Sequence, residues 1–102
     1  MTQLMAHTEF RWLTPAEGGR KTPFLGPRYA TTARFAGESE LFSVVMFFSS
    51  PAQANPSEGD LALLHPDRIE IQKRFVPGCQ LEITEGPKLV AQCRVVSSAV
   101  CP

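Results

Sequence analysis

Neither sign of charge is in surplus in this chain: ten Lys and Arg offset ten Asp and Glu among 102 residues. A balanced protein has no global field to gather nucleic acid or an anionic membrane. No apolar run is long enough to span a bilayer, and the first residues lack the charged-then-apolar order of a signal peptide. The three cysteines, Cys79, Cys93 and Cys101, are odd in number and form no CxxC, which fits a reducing compartment. A cytoplasmic protein with no membrane association is the expectation. The phosphate-cradling run GxxxxGK(S/T) is missing, which excludes a P-loop nucleotide hydrolase. Histidine is scarce, with His7 and His65 alone, and the His and Cys spacings of the familiar zinc sites do not occur. Acidic pairs such as Glu38/Glu40 and Glu82/Glu85 fall beside turns or on outward faces, where solvation accounts for them. No catalytic set, metal or cofactor is expected, and no repeat or low-complexity run is present.

What the chain does have is punctuation. Nine prolines and seven glycines suit short strands joined by turns. The length suits one domain with a single core. Residues 1–7 read as a lead-in. From Thr8 the pattern alternates, with Thr8, Phe10 and Trp12 on one face and Glu9 and Arg11 on the other, a half-buried strand. Gly18-Gly19 permits a tight reversal, Arg20 and Lys21 sit at the turn, and Thr22-Pro23 forces extended backbone before Phe24. Arg28 to Phe35 alternates again, with Tyr29, Thr31, Ala33 and Phe35 together. Arg20, Lys21, Arg28 and Arg34, with no acidic residue between Gly18 and Gly37, read either as a local positive patch or as four separately solvated side chains.

Leu41 to Phe48 is apolar on both faces: Phe42, Val44, Met46 and Phe48 on one, Leu41, Val45 and Phe47 on the other, with Ser43 the sole polar residue. A strand of a small barrel normally wets one face, so something should cover the second. Either the chain's own Ser49–Gly59 segment folds over it, or a partner or second copy does. The interface is expected on Phe42, Val44, Met46 and Phe48. Ser49 to Gly59 has loop chemistry, and Asp60 to His65 reads as a short strand stopped by Pro66. Over Asp67–Pro77, Ile69, Ile71 and Phe75 alternate against charged neighbours, which predicts a partly extended connection. Cys79, Leu81 and Ile83, then Leu89, Ala91, Cys93 and Val95, face inward around the turn Glu85-Gly86-Pro87, a terminal hairpin.

The run Leu13-Thr14-Pro15-Ala16-Glu17-Gly18-Gly19-Arg20-Lys21-Thr22-Pro23-Phe24 resembles the start of the C-terminal β-barrel domain of elongation factor Tu, Leu-Thr-x-x-Glu-Gly-Gly-Arg-x-Thr-Pro-Phe. Gly78, Ile83, Glu85, Gly86, Lys88 and Val90 resemble the final hairpin of that family in order and spacing, and Leu63-Leu64-His65-Pro66 its Leu-Ile-His-Pro. The resemblance spans Thr8 to Ser97. It implies an all-β fold, a closed six-stranded antiparallel barrel over 8–97 with a tail at 98–102, standing without the GTPase domain. It therefore implies no GTP chemistry. It further implies a non-catalytic binding module, for protein partners or self-association, or alternatively for tRNA or other structured RNA. In the RNA reading the contacts fall on Arg20, Lys21, Arg28, Arg34, Gly86 and Lys88. The family's glutamine in the second strand is Ala30 here, and its fourth-strand lysine falls on Leu63, Leu64 or Glu58, none of them basic.

Overall fold

The computed structural model describes residues 3–20, 26, 28–49, 57–65 and 68–101. Its strands are β1 (Gln3–Trp12), β2 (Arg28–Phe35), β3 (Phe42–Phe48), β4 (Ser57–Leu63), β5 (Gln80–Glu85) and β6 (Lys88–Cys101). A 3-10 turn at Pro15–Glu17 follows β1, and a one-turn helix, α1 (Ile69–Gln72), precedes β5. The strands close on themselves in the order β1-β4-β3-β2-β5-β6, all neighbours antiparallel. The all-β, closed six-stranded antiparallel barrel expected from the sequence is the observed architecture.

Alternation explains most of the packing. Thr8, Phe10 and Trp12 point inward from β1, Tyr29, Ala33 and Phe35 from β2, and Leu81, Ile83, Ala91, Cys93 and Val95 from the last hairpin. Aromatics plug both ends of the interior. At one end Phe10 meets Trp12 edge-on at 4.8 Å and Phe48 at 5.4 Å, and Trp12 lies 5.4 Å from Tyr29. At the other, Phe35, Phe42 and Phe75 form a triangle with centroids 5.1–6.0 Å apart. Such tilted and edge-to-face contacts add to plain burial.

Four details differ from the sequence reading. First, β1 begins at Gln3 and β6 runs to Cys101, because residues 3–7 pair with residues 97–101 and each end supplies the other's backbone partners. Second, β4 begins at Ser57, so Ser57–Gly59 is strand and not loop. A glycine is tolerated there because a Cβ at Gly59 would stand 2.2 Å from the Phe47 carbonyl oxygen, so only the bare backbone fits. Third, residues 69–72 are helical, not extended: Ile71 and Phe75 are one helical turn apart and both buried, while Ile69 stays exposed. Fourth, Ile83 pairs with Ala91 but Thr84 with Leu89, so Val90 is an extra residue in the ladder. That bulge reverses the local parity, leaving Val90 fully buried and Leu89 half-buried.

Candidate functional site

The Leu13–Arg20 stretch is built to hold Arg20 in place. The Thr14 hydroxyl accepts from the Glu17 N–H while the Glu17 carboxylate accepts from the Thr14 N–H, a reciprocal capping box. Gly18 takes a left-handed φ of 92°, and Gly19 passes so close to Leu13 that a Cβ would lie 2.2 Å from its carbonyl oxygen. The chain emerges with the Arg20 guanidinium donating to Glu85 Oε2, the oxygen that also accepts from the Tyr29 hydroxyl. Burial, then the Glu85 hydrogen bond, pushes the Tyr29 phenol well above its ordinary value, while the bond to Glu85 raises Arg20 further. Gly86 occupies the β5–β6 turn, and Lys88 stands exposed opposite Glu85.

The expected basic residues are not gathered into one patch. Arg20 is tied to Glu85, and Arg34 Nε donates to Glu82 Oε1 at 2.7 Å. Arg28 and Arg34 sit at opposite ends of β2, roughly 20 Å apart along an extended strand. Arg28 and Lys88 are exposed and make no ion pair among the described residues. Lys21 lies outside the described residues.

For the apolar strand the two faces are the reverse of the expected interface. Phe42, Val44 and Met46 are buried in the barrel core and the half-buried Phe48 packs against it, so all four are turned to the interior and not to the outer face. The outward positions are those of the other parity, with Phe47 of β3 exposed at 43% and Leu41, just before the strand, exposed as well. Residues 50–56, the bulk of the segment expected as a cover, lie outside the described residues.

Register builds a surface around Phe47. On the outer side of β2, β3, β4 and β1, Ala30, Val45, Ala62 and Met5 follow one another across the sheet, an unbroken apolar row. Val45 and Ala62 are its buried floor. The adjacent row reads Arg28, Phe47, Asp60, His7. His7 Nδ1 lies 3.2 Å from Asp60 Oδ1, and both side chains remain about half exposed. Leu64, exposed, bonds its N–H to the Ser43 carbonyl at the far end of the same face.

The opposite flank is polar. Arg34, Glu82, Gln92 and Arg11 form one row across β2, β5, β6 and β1, and Gln80, Arg94, Glu9 and Glu58 another. Arg94 approaches Glu9 at 3.8 Å, and a shallow hollow of about 370 Å³ lies over these residues. Among the described residues the two flanks thus differ: one is lined by charged and polar rows, and the other exposes Phe47 between Arg28 and Asp60 beside an apolar row whose centre is buried.

Residues with reactive chemistry are dispersed. Cys79 and Cys93 are free thiols; burial raises both and pushes Cys93 up to about 12. His65 is exposed at the end of β4, far from His7 at the middle of β1. Among the described residues no three His, Cys, Asp or Glu side chains converge as a metal site. Among them also, no helix is long and apolar enough to cross a membrane. Sequence reasoning missed Glu85 as the partner of Arg20 and Tyr29, although it stands in the Glu-Gly-x-Lys block, and missed Phe47 and Asp60 as outward residues. No protein-family model matches the sequence, and no curated protein does.

Proposed function

We propose that the chain is a non-catalytic, cytoplasmic protein-interaction module of the elongation factor Tu C-terminal barrel type, docking a protein on the outer face of β3. One observation carries this reading: Phe47 stands exposed beside the apolar row Ala30–Val45–Ala62–Met5, with Arg28, Asp60 and His7 at its border. An apolar centre bordered by charge is the anatomy of a protein interface. The polar rows of the opposite flank serve as its solvated back.

The RNA reading draws on the resemblance and on Arg28 and Lys88. It is the weaker of the two, because Arg20 and Arg34 are already neutralised by Glu85 and Glu82. Every cation withheld from a phosphate lowers affinity and salt dependence together.

The test is retention from native lysate on the immobilised protein, with both protein and RNA identified. The expected result is a specific protein retained by the wild type and lost with Phe47→Asp. Retention of tRNA instead, reduced by salt and by Arg28→Ala with Lys88→Ala but untouched by Phe47→Asp, overturns the proposal in favour of RNA.

A further inference from the structure

We infer that the protein seated on this face is a second copy of the same chain, related by a twofold axis running along β3 above Phe47; the inference rests on the protein-docking reading above. Arg28 and Asp60 are the residues on β2 and β4 that pair with Phe47 from either side, so they flank it in one row, about 10 Å apart at two strand spacings. All three are exposed. A symmetric dimer needs a patch complementary to itself, where each residue meets its opposite number's partner. Turning the face about an axis parallel to β3 exchanges left and right of that strand. Arg28 of one copy then meets Asp60 of the other, twice, and Phe47 meets Phe47 on the axis. The neighbouring row adds no contact of its own, because Val45 and Ala62 are already buried within the single chain.

Charge selects this arrangement. An axis across the strands would instead stack Arg28 on Arg28 and Asp60 on Asp60, and like charges placed together suppress a wrong pairing. The two ion pairs lie at the border, where their role is register more than strength. Their conversion to repulsion is what an experiment can read. A stable dimer of ordinary size covers roughly 800 Å² per partner, about a seventh of the 5675 Å² this chain exposes.

The experiment measures mass by light scattering for the full chain and for Arg28→Asp and Asp60→Arg, each alone and mixed one to one. Expected is a wild type of twice 11.2 kDa, with each single variant shifted to monomer, its dimer dissociation constant raised at least tenfold. The mixture returns to dimer, because one variant is then acidic at both border positions and the other basic at both. A wild type that stays monomeric overturns the inference; if Phe47→Asp still loses a lysate protein, the docking reading survives with a different partner. A dimer indifferent to both reversals, or variants that part and do not recombine, overturns it as well. Should either variant fail to fold, Phe47→Cys in a chain carrying Cys79→Ser and Cys101→Ser is treated with a short bifunctional maleimide. Cross-linked dimer supports the axis above Phe47, and its absence removes it.

Discussion

Tyr29 donates its hydroxyl hydrogen to the same Glu85 oxygen that holds the Arg20 guanidinium. Three segments distant in sequence are joined at that atom: the loop after β1, the start of β2 and the end of β5. Any RNA phosphate approaching Arg20 must compete with a carboxylate already in place.

The joint makes stability fall in alkali. The phenol keeps its proton in the folded chain above the ordinary value of about 10, chiefly through burial and next through Glu85, whereas the unfolded chain releases it there. The stabilisation is whole below pH 10 and is lost as pH rises beyond it, by up to about 1.4 kcal/mol per pH unit. Tyr29→Phe should cost about 0.5–1.5 kcal/mol at neutral pH and lose this slope. Urea titrations of both proteins at pH 8 and above give the comparison; parallel curves would contradict the burial of the phenol.

The two faces of β3 should answer differently to charge. Met46→Asp places a carboxylate at a fully buried position with no cation beside it, and the chain should fail to fold. Phe47→Asp should cost no more than about 1 kcal/mol and leave the circular dichroism spectrum unchanged. Equal damage from both would mean that Phe47 is part of the core.

Phe75 closes the barrel end beneath α1 against Phe35 and Phe42. Phe75→Ala should destabilise by about 3–5 kcal/mol, whereas Ile69→Ala should stay within about 0.5 kcal/mol. Denaturant midpoints decide between this and an extended segment, in which Ile69 and Ile71 would share a face and cost alike.

Cys93 should be silent to thiol reagents in the native state. It is buried beside Thr8, and burial holds its thiol at about 12, so no thiolate is present near neutral pH. Labelling at Cys93, followed by peptide mass, should occur at the rate of global unfolding and rise as urea is added. Rapid labelling without denaturant would place the thiol at the surface.

The strands are legible in the sequence because their alternation is clean: Thr8, Phe10 and Trp12, or Tyr29, Ala33 and Phe35, admit one buried face. On β3 the same rule leaves two apolar sets, and period alone does not say which looks inward. The interface expected on Phe42, Val44, Met46 and Phe48 is therefore interior. Val90 eludes parity because a bulge adds one residue without any mark in the local pattern. Ile69, Ile71 and Phe75 satisfy a two-residue and a helical spacing at once, and only the need to cap the barrel separates them. Glu85 reads as a turn residue because its partners, Arg20 and Tyr29, lie 65 and 56 positions away.

Closure of the sheet has a consequence for how anything is recognised. Along residues 91–94, β6 is bonded to β1 and to β5 at once and leaves no main-chain row there for an incoming peptide to zip onto, whereas beyond Arg94 the β5 ladder ends and, among the described residues, 97–101 have β1 alone as a strand partner. Where the wall is closed, selectivity must come from side-chain shape and charge, so a handful of surface substitutions can retune the choice of companion while the fold stays as it is.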